Sequence, residues 1–290
     1  MECDKLVEIP ANDWIELRDI FLLNWPDNHV AWHTINNYVN WHRKQSYIRD
    51  LKIYSLNNSW RSDGTYVVVD RYQLFIYSLQ LSNDKLKRAL SLIDWTNGYL
   101  ISSFLRRHRS AVLDIISSKK LKVEADSLTF LYYLSKEEVK TKHLVAPNDI
   151  TLKPLSADDA DYVNNEWPNK CSGSDFLVKR LIEWNPNIGA FDENNELMGW
   201  CLRLQSGPLG ALQVNKKFMR RGVGSLCVLS MCKILANMNL DTFALVNELN
   251  FNSQNMFVKL GFKHIDDAYW LRTKPTNGGK TKWIDQEIYY

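Results

Sequence analysis

No run of eighteen apolar residues occurs in the 290-residue chain, which excludes a membrane-spanning helix from the expectation. No C-x-x-C pair occurs either. The five cysteines, Cys3, Cys171, Cys201, Cys227 and Cys232, are odd in number and dispersed, and read as reduced packing thiols of an intracellular protein. The first residues, Met1, Glu2, Cys3, Asp4 and Lys5, start acidic and lack an Arg/Ser-rich amphipathic run. Neither a secretory signal nor an ordinary transit peptide is expected, so the cytosol is the default compartment, with the mitochondrion left open. A net charge of +3 is too small to make nucleic acid or a membrane surface the bulk partner. Eleven tryptophans are scattered without a repeat that would stack a single strand. Two phosphate-loop patterns are also missing: there is no Gly-x4-Gly-Lys-Ser/Thr, and Gly222 does not open Gly-x-Gly-x-x-Gly because position 227 is Cys. Hydrophobic residues at 45% and charged residues at 24% are ordinary for a globular chain with material for one large domain or two smaller ones.

What the chain does have is concentrated between Leu209 and Asn237. Leu209, Ala211, Leu212 and Val214 read as a buried strand. A cationic turn follows with Lys216, Lys217, Arg220 and Arg221, then Gly222, Val223, Gly224 and Ser225, then an apolar helix to Asn237. Strand, basic glycine-rich turn and helix in that order suit a phosphate anion. The first N–H groups of a helix have no intrahelical partner and carry partial positive charge. Glycine removes the Cβ that would keep a pyrophosphate away from them, and arginine adds forked donors.

Taken in order, the segment from Asn12 opens as a capped helix, and helical spacing continues to about Gln45. Leu51 to Leu56 reads as a strand, and Thr65 to Val69 with Gln73 to Leu81 as a hairpin. Asn83 to Asp94 and Tyr99 to Ser117 are expected helices, the second exposing Arg106, Arg107, His108 and Arg109 as a solvated face. Ser127 to Leu134 is β-rich. A charged stretch closing on Pro147 marks the domain boundary, giving an N-terminal α/β domain at 1–146 and a C-terminal domain at 147–290. There, strand 150–155, helices 156–165 and 172–184, and a hairpin of 188–191 with 197–205 lead to the central stretch. Thr242 to Val246 (strand), Asn252 to Leu260 (helix) and a closing hairpin of 263–265 with 269–273 over Asp266 and Asp267 complete the order. The first half shows a blurred version of the same order, which leaves an internal duplication open.

That order, with its Arg-Arg-Gly-Val-Gly turn, resembles the GNAT superfamily of acyl-CoA-dependent N-acyltransferases. A second motif agrees: NFNSQNMFVKLGF, from Asn250 to Phe262, is similar to the superfamily's Asn-x-x-Ala/Ser-x-x-Leu-Tyr-x-Lys-x-Gly-Phe helix. The resemblance covers roughly residues 150–275. Its wording, with Gly199 and Trp200 before the core strand, looks most like the glycine N-acyltransferase-like branch. It implies an α/β (α+β) GNAT fold, a mixed central sheet flanked by helices, and tandem GNAT-like halves if the duplication holds. It also implies acyl-CoA or acetyl-CoA as co-substrate, no metal, and a small amine, such as glycine or another amino acid, as acceptor. Leu212, Gln213 and Val214 would pair with the pantetheine amides. Arg220, Arg221, Gly222, Val223, Gly224 and Ser225 would hold the pyrophosphate, and Asn250, Ser253 and Phe257 would line the sulfur end.

Two positions depart from the family pattern. Met219 stands where an Arg or Gln is usual, and Phe257 replaces the Tyr that commonly protonates the leaving thiolate. Glu248, just after a central strand, is the first candidate base, with His264 behind it. Cys201 and Cys227 would matter only for a covalent route. The rival readings are a catalytically silent CoA-binding or scaffold protein and a protein or peptide N-acetyltransferase. Oligomeric state is open.

Overall fold

A single order of elements is built twice along the chain. The computed structural model describes residues 3–171 and 173–276. The first copy runs β1 (Leu6–Glu8), α1 (Trp14–Ile20), α2 (His29–Lys44), β2 (Leu51–Leu56), a short α3 (Trp60–Asp63), β3 (Tyr66–Asp70), β4 (Gln73–Tyr77), α4 (Asp84–Ser91), β5 (Leu100–Leu105), α5 (Arg109–Ser118) and β6 (Val123–Leu134). After a short α6 (Lys136–Lys140), the second runs β7 (Thr151–Lys153), α7 (Ala160–Glu166), α8 (Ser174–Trp184), β8 (Asn187–Phe191), β9 (Leu197–Arg203), β10 (Leu209–Val214), α9 (Val223–Asn237), β11 (Thr242–Asn247), α10 (Phe251–Lys259) and β12 (Lys263–Thr273). Both read β-α-α-β-β-β-α-β-α-β once α3 and α6 are set aside. Ser172, expected to open the helix that here spans Ser174–Trp184, lies outside the described residues, as do Met1 and Glu2.

The described residues divide into two compact units, 3–129 with 266–276, and 130–171 with 173–265. The divisions fall inside β6 and inside β12, so the boundary expected at 146/147 lies within the second unit. In the first unit β1, β2, β3 and β4 pair antiparallel in sequence order, β4 and β5 pair parallel, and β5 pairs antiparallel with the end of β12. Leu56, Val67, Leu74, Ile101 and Phe104 of these strands close on Leu86, Leu90, Val112 and Ile115 of the helices. In the second unit β7, β8, β9 and β10 pair antiparallel, and β10 and β11 pair parallel. Its long helix α9 lies on β8, β9 and β10 and buries Leu226, Val228, Met231 and Leu235. Each such side chain contributes about 1.5–3 kcal/mol.

Three expectations are corrected. Tyr99–Ser117 is not one helix: residues 100–105 form β5 and only Arg109–Ser118 is α-helical. Leu100, Ile101, Phe104 and Leu105 fit a helical spacing, but a strand covered on both faces needs no alternation and so reads the same way. The closing hairpin over Asp266 and Asp267 is instead one uninterrupted strand. Asp267 is buried and accepts from the Arg106 guanidinium, so the acidic pair sits inside a ladder and not at a turn.

The group Arg106–Arg109 is not a solvated face throughout, because His108 is fully buried. Its Nδ1 lies 2.6 Å from Asn83 Oδ1, so Nδ1 carries the proton and donates. Burial, reinforced by the Arg107 charge, pushes its pKa down to about 3. An unfolded histidine titrates near ~6.5. Below that pH the unfolded chain binds a proton that the folded chain refuses, so stability falls as pH drops from about 6.5 towards about 3, by ~1.4 kcal/mol per unit. Urea unfolding at pH 7 and pH 5 should therefore show a loss of about 2 kcal/mol from this group in the wild type, and a correspondingly smaller loss in His108→Asn.

Candidate functional site

The site grows out of one strand with two different edges. Against β9, β10 stays paired from Leu209↔Arg203 to Val214↔Gly199, with a bulge between Gly210 and Gln213. Ala211 takes the left-handed conformation there, φ +46°, and a bulge bends the strand that carries it. Against β11, β10 is in register at Leu209↔Ala244 and, among the described residues, not beyond it. The two parallel strands therefore part after Leu209. Leu212, Gln213 and Val214 are left half-buried along an edge that no strand among the described residues covers. Backbone N–H and C=O groups on such an edge are donors and acceptors awaiting an extended amide chain.

At the end of this edge the chain turns over Phe218, which is buried as an anchor. Asn215 shapes the turn: its Oδ1 accepts from the Lys217 N–H at 3.1 Å, and its Nδ2 donates to the Tyr162 hydroxyl at 2.9 Å. Arg220 (φ +61°) and Gly222 (φ +77°) then swing the backbone into α9. No side chain caps this helix, so its first N–H groups keep their unsatisfied donors and positive end. Among the described residues, a Cβ built on Gly222 would meet nothing within 4 Å. The space over the helix terminus is open.

The cations around it are not equivalent. Arg221 pairs with Asp149 and Lys217 with Glu196, whereas among the described residues Lys216 and Arg220 have no acidic partner. Both are exposed, and both are available to an anion. Met219, where the family pattern has Arg or Gln, is itself exposed.

The opposite wall comes from α10. A Cβ on Gly224 would stand 3.4 Å from Val214 Cγ2 and 3.5 Å from Met256 Sδ, so strand end, helix start and Met256 converge. Asn250 caps α10, its Oδ1 accepting from the Ser253 N–H at 3.1 Å. Gln254 Nε2 donates to the Asn247 and Glu248 carbonyls at 3.2 and 2.8 Å, fixing the β11–α10 turn. Glu248 is exposed in that turn. Phe257 is only 3% exposed, stacked on Tyr132 and edge-on to Phe262. His264 is exposed and packs against Phe130 and Tyr132.

Among the described residues no disulfide forms. Burial pushes the thiols of Cys227 and Cys232 up to about 12 and raises Cys201 as well, so none is poised as a nucleophile. Asn215, beside the cationic turn, and Tyr132, stacked on Phe257, carry no local motif that marks them. Only the fold brings them to the site.

The first unit repeats the parting of parallel strands, with β4 and β5 in register at Gln73↔Leu100 and Leu74↔Ile101. Its turn, however, has no glycine between Ser78 and Asn83, and α4 starts with Asp84. Arg107 donates to the Ser78 carbonyl and stands over the Tyr77 ring, and Asn83 Nδ2 donates to the Arg107 carbonyl. Side chains of the protein itself fill the place that is open in the second unit.

Residues 187–271 match the family described as FR47-like protein. No curated protein matches the chain. A solved Drosophila protein is 24% identical, with a TM-score of 0.85 over 94% of this chain and 99% of its own. A tandem GNAT protein from the clavulanic acid biosynthesis pathway is 12% identical with a TM-score of 0.53, covering 93% of this chain and 98% of its own. A GNAT-family acetyltransferase from Colwellia psychrerythraea is 13% identical with a TM-score of 0.51, covering 94% and 100%. The fold is GNAT-like, a large mixed sheet flanked by helices. No helix among the described residues is long and apolar enough to cross a membrane.

Proposed function

We propose that the second unit binds acyl-CoA and transfers the acyl group to the nitrogen of a small amine. One observation carries this reading: the uncovered edge of Leu212, Gln213 and Val214 runs directly into the open, uncapped, cation-flanked start of α9. That is the order in which a pantetheine arm and a pyrophosphate follow one another. The strand edge takes the two amides of the arm. The N–H groups after Gly222, with Arg220 and Lys216, take the phosphates. Asn250, Ser253 and Phe257 stand on the α10 side towards the thioester.

Transfer requires the amine lone pair to attack the thioester carbonyl carbon. A C–N bond forms, the C–S bond breaks with its electrons on sulfur, and the nitrogen gives up one proton. Glu248, solvent-facing at the β11–α10 turn, is the carboxylate we assign to take that proton. An amino acid such as glycine is the acceptor class we assign, on the sequence resemblance alone. The cytosol is the compartment we assign, in keeping with five cysteines outside any disulfide.

Phe257 favours a second reading, a CoA-binding protein without turnover, because a phenyl ring at that position has no proton to give. Release of CoA thiol from acetyl-CoA and from longer acyl-CoAs, measured against a panel of amino acids and simple amines, separates the two. Amine-dependent thiol release with a new amide supports the transferase. Binding without product supports the silent protein.

A further inference from the structure

We infer that the Tyr132 hydroxyl supplies the proton for the leaving thiolate, in the place that Phe257 cannot fill. This rests on the transferase reading. Phe257 follows Met256, whose sulfur would stand 3.5 Å from a Cβ on Gly224, the start of α9. The phenyl ring is buried there, and the Tyr132 ring stacks on it with 6.1 Å between centroids and 18° between planes. The two rings are stacked, which brings a phenol from the second half of β6 one ring away from position 257, where the family pattern's hydroxyl is absent.

The other phenols of the second unit are committed elsewhere. Tyr133 donates to Asp241 at 2.7 Å, and the Tyr162 hydroxyl is tied to Asn215 at the turn before α9, away from the α10 side where the thioester is assigned. Among the described residues no side chain or backbone group partners the Tyr132 hydroxyl, although its ring is buried. Burial also raises its pKa above the ordinary tyrosine value. A phenol so held stays protonated at neutral pH, and a fully formed CoA thiolate is basic enough to be stabilised by it. Glu248 and His264 are exposed, better placed to exchange protons with water than with a sulfur beside Met256.

In the step, the C–S bond breaks as the new C–N bond is completed. The electron pair left on sulfur takes the Tyr132 O–H proton, giving the free thiol. The tyrosinate is then reprotonated by water, matching the proton that the amine nitrogen loses.

The test uses the full chain in four forms: wild type, Tyr132→Phe, Phe257→Tyr and the double variant. Each is assayed for amine-dependent thiol release from acetyl-CoA across pH, with acetyl-CoA affinity measured separately. Removing a general acid typically costs about 10²-fold or more. Tyr132→Phe should lose about that much in kcat with acetyl-CoA affinity unchanged, and should lose the alkaline limb of the wild-type pH profile. The double variant, which moves the phenol to residue 257, should recover at least about tenfold of the loss.

Tyr132→Phe with wild-type kcat and the alkaline limb intact would overturn the inference and leave the transferase reading standing. A loss that keeps the alkaline limb and is not rescued at position 257 would assign Tyr132 to packing, and also overturns it. A folded wild type that binds acetyl-CoA and acylates no amine would overturn the transferase reading itself, and this inference with it.

Discussion

Gly222→Asp is expected to abolish measurable CoA binding, a loss of at least about 100-fold in Kd, equivalent to about 2.7 kcal/mol, while the protein stays folded. Two observations separate binding from folding here. Gly222 sits at φ +77°, a left-handed conformation that costs a side-chain-bearing residue about 1 kcal/mol and that Asp and Asn tolerate best. A Cβ at this position meets nothing within 4 Å, so no packing clash follows. Asp is also a favourable N-cap, its carboxylate accepting from the first free N–H groups of a helix. The same carboxylate would then occupy the donors and the positive field that the phosphates need. Gly222→Ala is the companion measurement: it carries the backbone strain without the charge, and should keep CoA affinity within a few-fold. Circular dichroism and isothermal titration of both variants decide the matter. Unchanged affinity in a folded Gly222→Asp protein would remove the phosphate assignment.

Gly199→Val is expected to damage stability and binding together. Gly199 pairs with Val214 at the end of β10, and a Cβ there would stand 2.9 Å from the Gln213 carbonyl oxygen, 3.0 Å from Val223 Cγ1 and 3.3 Å from the Val214 Cα. Two of these three contacts are backbone, which cannot rotate away as a side-chain tip can. Relief requires β10 to move off β9, or α9 to lift from both. Overpacking of this kind costs roughly 1–3 kcal/mol, and the upper end is expected because strand edge and helix start shift together. Denaturant unfolding should show the lower midpoint. Acyl-CoA affinity should fall by at least tenfold under conditions where the variant is still folded, because Gln213, Val214 and Val223 all belong to the proposed acyl-CoA site. Wild-type affinity in Gly199→Val would mean that the geometry of this strand end is not what binds.

The strand, cationic turn and helix between Leu209 and Asn237 were legible in the sequence because all their parts are neighbours: an apolar strand, a turn with four cations and two glycines from Lys216 to Gly224, and an apolar helix. Local chemistry of that kind survives without tertiary knowledge. The repeated element order was legible only as a blur, because β5 is covered on both faces and its Leu100–Leu105 run has no strand alternation to betray it. Asp266 and Asp267 look like a turn until Arg106 is known to meet Asp267 within the ladder. His108 lies among three arginines that suggest solvent, yet Asn83 holds it in the interior. The stacking of Tyr132 on Phe257 joins residues far apart in the chain. No spacing rule connects them, since strand order and not sequence distance makes them neighbours.

The assignment of the open helix start and uncovered strand edge to acyl-CoA is tested most directly by a thermal-shift titration of the wild type with CoA, acetyl-CoA and longer acyl-CoAs. A ligand present at 100 times its Kd stabilises the folded state by about 2.7 kcal/mol. The account predicts a Tm that rises with CoA concentration, by the amount that stabilisation implies at 100 times Kd, with the size set further by acyl length and the rise lost in Gly222→Asp. Folded protein whose Tm responds to none of these ligands would contradict it.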